Sequence, residues 1–225
     1  MLSVVIPTLN SEKYLPKLLA QLARESDGHV DEIVVTDGGS TDGTLTIALA
    51  ANTRIAIGCK GRGWQLARGA KWATGGADDW LLFLHADTRL GDGWLEEVRS
   101  HIKHFPNRAG YFRFKLDANG FWPRLFESLV RLRCIFLALP YGDQGLLIRR
   151  DVYEAAGGYP DWLLYEDVQI IRQLGRRLLR ALQADSNTSA VRYEKQGYAR
   201  RGLRNLRLLT RFLLGANPDD LNKKY

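Results

Sequence analysis

The segment of this sequence with the clearest capacity for chemistry is His85-Ala86-Asp87, which follows the strongly hydrophobic run Trp80 to Leu84. This order places an imidazole and a carboxylate at the mouth of a buried strand, where desolvation makes them costly unless they are used. Mg²⁺ and Mn²⁺ prefer oxygen ligands, and one protein carboxylate with two phosphate oxygens is typical of diphosphate chemistry. We therefore predict that Asp87 binds a divalent metal, with a turn cap before Thr88 as the structural alternative. His85 either adds a nitrogen ligand, which would favour Mn²⁺, or makes structural hydrogen bonds.

A second candidate is Asp37, which opens the polar segment Asp37 to Gly43 directly after another apolar run. Its carboxylate could accept a hydrogen bond from the N3–H of uracil, or from the N1–H and amino group of guanine. The glycines that follow have no Cβ, so the backbone can approach a ligand closely. The same residues also suit a tight strand-to-helix turn in which Asp37 and Ser40 are caps. The sequence leaves both interpretations open.

Charged side chains at two other places complete the candidates. Arg62 carries a planar fork of donors that suits a phosphate or a base, or else lies in a solvated basic loop. Glu166 and Asp167 begin a helix-like stretch, where the helix dipole favours a carboxylate even without a catalytic task. The other histidines have no carboxylate or cysteine partner at ligand spacing, and we expect surface positions for them. They are His29, His101 and His104.

These candidates need elements that bring them together, and the first half of the chain has the pattern of an α/β fold. Short apolar runs alternate with segments of helical period, which indicates a mainly parallel sheet flanked by helices. The predicted strands are Ser3–Ile6, Glu32–Thr36, Arg54–Ile57 and Trp80–Leu84. The predicted helices cover 15–22, 44–51, 61–74 and 94–102. Because open α/β sheets bind ligands at the carboxyl ends of their strands, the polar segments should gather along one rim.

The second half of the chain has a different pattern. Alternation over Phe112 to Leu116 predicts a half-solvated strand, and a helix is predicted over Trp122 to Leu137. A last, amphipathic helix is predicted over Gly197 to Gly215, with leucines on one face and arginines on an adjoining one. This helix either docks on the core with a solvated basic edge, or contacts anionic lipid or a lipid-linked acceptor.

Composition limits the alternatives further. The net charge of +7 favours anionic partners without selecting among them. The two cysteines have no paired spacing, no basic region precedes the first apolar run, and no apolar stretch has the length of a bilayer span, so we expect a cytoplasmic protein. The sequence has neither a phosphate-binding loop of the P-loop type nor the nucleophile elbow of a serine hydrolase. Kinases of that class and serine hydrolases therefore lose their main support.

Taken together, these segments resemble the family 2 glycosyltransferases with the GT-A fold, and most closely their small bacterial branch described as radical-SAM/selenodomain-associated. The resemblance covers almost the whole chain, and the order and spacing of its segments are specific. The segments are Val4–Asn10, Asp37–Thr44, Leu82–Leu90, Tyr141–Gly145 and Glu166–Val168. The resemblance implies one GT-A domain over 1–225, with a nucleotide-sugar half at about 1–108 and a mixed acceptor and catalytic half at about 109–225.

The resemblance assigns the nucleotide-sugar side of the site. It implies contacts to the nucleotide sugar from Pro7, Thr8, Asn10, Asp37, Arg62, His85 and Asp87. The base would be held by Asp37, and Arg62 would lie near the base or the diphosphate. Asp87 matches the last aspartate of the family's Asp-x-Asp motif, which binds Mn²⁺ or Mg²⁺. His85 stands where many relatives carry the first aspartate of that motif, although this branch is similar to the chain in having histidine.

The resemblance also assigns the catalytic and acceptor side. Asp167 matches the family's catalytic base, with Glu166 beside it, and Asp143 and Gln144 would face the acceptor. Members of this type generally invert the anomeric centre. The acceptor hydroxyl would then attack the anomeric carbon while Asp167 removes its proton. Because the chain lacks the Gln-x-x-Arg-Trp motif of processive synthases, we do not expect long-polymer synthesis.

We therefore expect a hexosyltransferase-type enzyme that uses a UDP- or GDP-sugar and has no nucleic-acid partner. The acceptor could be lipid-linked and met at the inner face of the membrane, where the basic C-terminal helix would make peripheral contact. Two alternatives stay open. A sugar-phosphate nucleotidyltransferase needs a glycine- and arginine-rich loop after the first strand, where this chain has Pro7-Thr8-Leu9-Asn10. A non-catalytic relative would bind nucleotide sugar or membrane only.

Overall fold

The computed structural model describes residues 1–222, apart from the side chains at positions 192, 195, 196 and 222. The strands are β1 (Leu2–Thr8), β2 (Glu32–Asp37), β3 (Arg54–Ile57), β4 (Trp80–Phe83), β5 (Arg89–Leu90), β6 (Ala109–Leu116), β7 (Leu146–Arg149) and β8 (Leu179–Thr188). The helices are α1 (Leu15–Glu25), α2 (Thr44–Ala50), α3 (Arg62–Trp72), α4 (Trp94–His104), α5 (Phe121–Leu137), α6 (Arg150–Ala155), α7 (Glu166–Leu174), α8 (Val191–Gln196), α9 (Tyr198–Leu213) and α10 (Pro218–Asn222). Within this range the strands form one sheet in the order β3-β2-β1-β4-β7-β6-β8-β5.

The first half of the sheet is parallel, as predicted. Val5 of β1 lies between Val34 of β2 and Phe83 of β4, and β3 pairs in parallel with β2. Neighbouring side chains on β1 point to opposite faces of the sheet, so Val4 packs with α1 while Val5 packs with α3. All strands of this half therefore end at one rim, which is the arrangement that the polar segments require.

The second half of the sheet is mixed, which confirms the predicted fold class. β7 runs antiparallel to both β4 and β6, β6 pairs in parallel with β8, and β5 closes the order antiparallel to β8. β7 and β8 were not among the predicted strands. β8 carries few large apolar residues, and its long pairing with β6 decides its conformation. The single domain over 1–225 stays a prediction, and its last three positions lie outside the described residues.

The structure differs from the sequence-based predictions in the placement of two groups of side chains. The surface position expected for His101 was wrong, because this side chain is only 2% exposed and shares the buried face of α4 with Trp94 and Val98. Its Nε2 atom lies 2.7 Å from the carbonyl oxygen of Arg108. The four leucines predicted to share one face of the last helix also differ in burial. Leu209 packs in the core, while the other three are exposed. Those three are Leu203, Leu206 and Leu213.

The C-terminal helix α9 thus docks on the core through part of its surface. Leu208, Leu209 and Phe212 are buried there, and the Phe212 ring stacks on Tyr165 with 4.8 Å between centroids. Arg200 and Arg207 of the same helix remain exposed. Among residues 1–222, none of the helices combines the length and the apolarity that crossing a bilayer requires.

Candidate active site

A polar cavity of about 180 Å³ opens at the carboxyl end of β4. It brings together five of the predicted site residues, from four separate parts of the chain. They are Arg62, His85, Asp87, Asp143 and Asp167. Its wall is completed by Tyr14, Tyr141, Leu164, Tyr165, Thr188, Ser189, Val191, Tyr193, Arg201 and Asn205. The wall of the cavity therefore carries three carboxylates, an imidazole and two guanidiniums, the second from Arg201.

The imidazole of His85 and the carboxylate of Asp167 both lie close to Gly142. A Cβ added at this glycine would stand 2.8 Å from His85 Nε2 and 3.2 Å from Asp167 Oδ2. A side chain at position 142 would therefore crowd both groups. The segment Gly142–Gln144 forms a single 3₁₀ turn, and this turn carries Asp143 to the same cavity. His85 and Asp87 reach the cavity from the tight turn after β4, in which the Thr88 N–H donates to the His85 carbonyl oxygen over 3.0 Å.

Asp167 is held firmly at the start of α7. The Gly142 N–H donates to its Oδ2 atom over 2.7 Å, and the Val168 N–H donates to its Oδ1 atom over 2.7 Å. Tyr165, which precedes the helix, has a φ of 63°. This left-handed conformation is unfavourable for a bulky residue and is typical of functional turns. The turn aims the first residues of α7 at the cavity, where the carboxylate of Asp167 is only 8% exposed.

Glu166 has a different environment from its neighbour. Its side chain is fully buried, is not among those that line the cavity, and forms an ion pair with Arg62. Burial raises the pKa of Glu166 above its ordinary value, the Arg62 guanidinium opposes this shift, and the nearby Asp167 carboxylate adds to it. A direct catalytic role for Glu166 stays a prediction. Its geometry supports a positioning role, because it fixes Arg62 at the edge of the cavity.

Asp143 is the most strongly perturbed acid of the cavity. Burial raises its pKa to about 6, Arg133 and Arg62 oppose the shift, and the neighbouring carboxylates of Asp167 and Asp87 add to it. Its Oδ1 atom is buried without a hydrogen-bond partner among the described residues. A buried oxygen of this kind usually has a partner that is supplied by water, an ion or a ligand.

Gln144 points away from the cavity that its neighbour lines. Its Nε2 atom donates to the Phe112 carbonyl oxygen over 3.0 Å. Its Oε1 atom accepts from Arg133 Nη2 over 3.2 Å and from the Tyr141 N–H over 3.3 Å. The side chain is 2% exposed and its polar atoms are used by the protein. The predicted contact with the acceptor stays untested, and the geometry instead supports a role in anchoring the 3₁₀ turn.

The predicted base-binding residue Asp37 lies at the end of β2, outside the lining of the cavity. Its Oδ1 atom accepts from the N–H groups of Gly39 and Ser40, at 2.9 and 2.7 Å. Its Oδ2 atom accepts from the hydroxyls of Thr8 and Ser40, at 2.9 and 2.5 Å. The side chain is fully buried, so this geometry matches the capped turn that was the structural alternative. Contact with a base stays a prediction.

The other residues predicted for the nucleoside lie beside Asp37 at the same rim. Asn10 has a φ of 49° and accepts a hydrogen bond from the Thr41 N–H over 2.9 Å, which ties the loops after β1 and β2 together. Pro7 is half-buried near the end of β1. Gln65, for which no role was predicted, ties the ends of β1 and β2 together. Its Nε2 atom donates to the carbonyl oxygens of Thr8 and Thr36, at 2.7 Å each. The signal for it in the sequence is a single amide among the small and apolar residues of one face of α3.

Several cavity residues were not predicted because they come from the C-terminal helices. Arg201 is 8% exposed and lies over the Tyr193 ring, with 4.7 Å between Cζ and the ring centroid. Asn205 lies one turn further along α9 on the same wall. The arginine spacing of this helix predicted a basic edge, but no pattern in the sequence distinguishes the buried Arg201 from the exposed Arg200.

The donor groups around the cavity fit a divalent cation that is shared with a ligand. Asp87 offers a hard carboxylate and His85 an imidazole at the end of β4. Over residues 1–222, no cluster of three or more His, Cys, Asp or Glu side chains is arranged to hold a metal ion. A site for Mn²⁺ or Mg²⁺ at Asp87, with or without His85 as a ligand, stays a prediction.

Comparison with known proteins decides the family. The sequence pattern of the family described as Glycosyl transferase family 2 matches residues 3–154, which is more than half of the chain. The chain belongs to this family. Its fold is shared with the crystal structure of S. aureus TarS 1–349, with a TM-score of 0.65 at 22% identity over 84% of this chain and 60% of that one. This similarity confirms the GT-A fold that was expected for the chain.

Two mycobacterial relatives show the range of similarity. A PGL/p-HBAD biosynthesis glycosyltransferase of Mycobacterium tuberculosis is 34% identical over 169 residues, which cover 71% of this chain and 63% of that protein. This chain thus spans less than two thirds of that relative's length. A glucosyl-3-phosphoglycerate synthase of the same species is 41% identical over 54 residues, or 24% of this chain and 17% of that one. Its crystal structure with UDP has a TM-score of 0.53 at 20% identity, over 84% of this chain and 70% of that one.

Proposed function

We propose that this family 2 member is a glycosyltransferase that moves a sugar from a nucleoside diphosphate sugar to an acceptor hydroxyl, with inversion of the anomeric centre. The observation that carries the proposal is the convergence of Asp87, Asp143 and Asp167 on one cavity at the carboxyl end of β4. TarS has been crystallised with UDP-GlcNAc and with UDP, which supports a UDP-sugar as the first donor to test. GDP-sugars are the second donors to test.

The proposed reaction is a single displacement. The acceptor oxygen forms a new bond to the anomeric carbon while the bond from that carbon to the diphosphate breaks and its electron pair leaves with the nucleoside diphosphate. The acceptor proton passes to the carboxylate of Asp167, which acts as general base. The two backbone N–H groups that hold Asp167 fix its orientation, so its proton-accepting lone pairs are presented in one direction.

The remaining cavity residues bind and orient the substrates. Arg62, fixed by its ion pair with Glu166, would donate to the diphosphate or the base. Asp87, with His85 beside it, would hold Mn²⁺ or Mg²⁺, which supplies positive charge against the leaving diphosphate when bound. Asp143, whose Oδ1 atom is buried and unpartnered in the described structure, would accept a hydrogen bond from the acceptor.

The first prediction concerns the proposed base. Asp167→Asn should lower kcat for transfer by about 10³-fold, because an amide cannot take the proton, within the usual range for loss of a general base. Affinity for UDP, measured by calorimetry, should stay within about twofold, since the variant keeps the size of the side chain and its amide oxygen can still accept from one of the two N–H groups, of Gly142 or Val168. Transfer would be followed as release of UDP from UDP-sugars with a panel of sugar and lipid acceptors.

A matched control for this prediction is Asp161→Asn, because Asp161 is exposed and precedes the same helix. It should leave transfer unchanged. Full transfer activity in Asp167→Asn would refute the base assignment. Release of pyrophosphate from a nucleoside triphosphate and a sugar phosphate would instead favour the nucleotidyltransferase alternative, and intact UDP- and GDP-sugars with every acceptor would favour the non-catalytic one.

The second prediction concerns the proposed cation. Added Mn²⁺ should tighten UDP binding to the wild-type chain by about tenfold or more, and Asp87→Ala should abolish that gain while it lowers transfer by about 10²-fold. UDP binding with and without Mn²⁺ in thermal-shift and calorimetric titrations checks this. Equal effects of Mn²⁺ on both proteins would contradict the assignment of Asp87. His85→Ala, measured in parallel, decides whether the imidazole contributes to the same gain.

Two finer expectations are also proposed here. The presence of His85 in place of an aspartate supports membership of the radical-SAM/selenodomain-associated branch.

The exposed arginines of α9 support peripheral contact with an anionic membrane surface, at which a lipid-linked acceptor would be met. Flotation of the protein with vesicles that contain anionic lipid, against neutral vesicles as control, tests the second of these.

A further inference from the structure

A second cavity, of about 550 Å³, lies next to the polar one. Its walls are formed mainly by α5 and α9, and we call it the apolar groove. It is defined by Trp122, Leu125, Leu129, Leu203 and Leu206, with Phe114 of β6 at its floor. Leu129, Leu203 and Leu206 are 54%, 68% and 59% exposed. Large apolar side chains gathered at one exposed place usually mark an interaction site, because exposure to water is unfavourable for them.

The apolar groove is continuous with the candidate active site. Tyr141, Asp143, Tyr193 and Asn205 line both cavities. A molecule that occupies the groove would therefore end beside Asp143, within the same cavity as Asp167. This continuity distinguishes the groove from a patch that merely faces a membrane or another protein.

The lining changes from polar to apolar at the junction between the two cavities. Arg133 lies over the Tyr141 ring, with 3.4 Å between Cζ and the ring centroid, and its Nε atom donates to the Leu139 carbonyl oxygen over 2.8 Å. Beyond this pair the groove is lined by leucine and aromatic side chains. A ligand that fits both parts is polar at one end and hydrocarbon along the rest of its length.

The charge of the surrounding helices agrees with an amphipathic ligand. α9 contains five arginines and no acidic residue, and Arg200 and Arg207 are exposed. α5 adds Arg124 and Arg131, both exposed, against a single acidic residue, Glu127. The positive charge of these helices favours an anionic amphipathic ligand over a cationic one.

We propose that the apolar groove holds the hydrocarbon chain of the acceptor, so that the acceptor is an amphipathic molecule whose hydroxyl reaches Asp167 while its tail lies between α5 and α9. The proposal rests on the proposed transferase function, since it names the acceptor class of that site. It assigns to α5, for which the sequence analysis gave no function, a direct part in acceptor selection.

The test measures binding of two acceptor probes that differ only in the chain. Octyl β-D-glucoside, kept below its micellar concentration, should bind about tenfold or more tightly than methyl β-D-glucoside in calorimetric titrations, because burial of methylene groups is favourable. Leu129→Glu and Leu206→Glu should each remove most of this preference, since each places a charge in the groove wall. Both native leucines are exposed, so these substitutions leave the core intact.

Matched controls are available on the same two helices. Leu132 of α5 and Leu213 of α9 are 46% and 41% exposed but do not line the groove. Leu132→Glu and Leu213→Glu should therefore keep the preference for the octyl chain. If these controls lower it as much as the groove variants do, or if octyl and methyl glucosides bind equally, the proposal is overturned. A concentration-dependent dimer of the wild type that Leu129→Glu dissolves, without octyl binding, would assign the groove to a second copy instead.

The same samples separate this proposal from the proposed function. UDP and GDP binding, measured in each variant, should be unchanged, because the groove lies outside the nucleotide side of the site. Nucleotide binding that persists while the octyl chain fails to bind would overturn the groove proposal alone. Absence of nucleotide binding in the wild type would count against the transferase itself. Sugar transfer to octyl glucoside at a rate that falls about tenfold in Leu129→Glu and not in Leu132→Glu would support both.

Discussion

The two sides of the site differ in how their buried acids are satisfied. On the side formed by β1 and β2, Asp37 accepts four hydrogen bonds from the protein itself. On the side formed by the 3₁₀ turn and α7, one oxygen each of Asp143 and Glu166 is buried without a hydrogen-bond partner among the described residues. The first side is a completed structural unit, whereas the second has bonding capacity that a substrate or cation can use.

The unused oxygens indicate which side of the site contacts a ligand. An acid whose oxygens are all used stabilises the fold and gives up its bonds only at a cost. An acid with an unused oxygen, a raised pKa and like charges nearby is held at the expense of stability, which is typical of functional sites. The comparison therefore predicts opposite effects on folding for substitutions on the two sides.

The largest expected effect is on the satisfied side. Asp37→Ala should lower the free energy of unfolding by about 3 kcal/mol, because it leaves two backbone N–H groups and two hydroxyls without their acceptor in a buried turn. Urea denaturation followed by circular dichroism measures this. As a graded control, Ser40→Ala removes one donor to Asp37 and the acceptor of the Asn10 N–H, and should cost about 1 kcal/mol. A loss below that of the serine variant would break the comparison.

A smaller effect of opposite sign is expected on the unsatisfied side. Asp143→Asn should raise the free energy of unfolding by about 1 kcal/mol at pH 7.5 without nucleotide and with chelator present, because it removes a buried negative charge beside two other carboxylates. The same variant should lose transfer activity. Asp161→Asn, on the surface, should change neither quantity. Destabilisation of Asp143→Asn comparable to that of Asp37→Ala would show that both sides are structural.

The smallest effect concerns a titratable group far from both sides. Burial lowers the pKa of His101 below its ordinary value, so the folded state holds this ring neutral where the unfolded state already binds a proton. Its contribution to stability is therefore fully present above about pH 6.5 and is lost as the pH falls from there towards the lower folded-state pKa. His101→Gln should flatten this part of the stability profile between pH 7 and 5. An unchanged slope in the variant would assign the acid sensitivity elsewhere.

The sequence by itself determined the parallel half of the sheet and the candidate acids. Strands β1 to β4 are short apolar runs whose burial follows from local pattern. Asp87 and Asp167 are candidates from their places beside predicted elements, and Asp143 is one through the family resemblance alone. The sequence did not predict the structural contacts of Glu166 and Gln144. Their side chains are adjacent in sequence to cavity residues but turn away from the cavity, and the direction of a side chain in a turn depends on its packing partners.

Only the tertiary structure decided how the site is assembled. The ion pair of Arg62 with Glu166 joins residues 104 positions apart, and the buried face of α9 depends on α7 and Tyr165 rather than on its own periodicity. The apolar groove exists because α5 and α9 pack at a distance that leaves space between two leucine-rich surfaces. Local patterns report which side chains avoid water, but the contacts made between distant segments determine which of them meet and which remain available to a ligand.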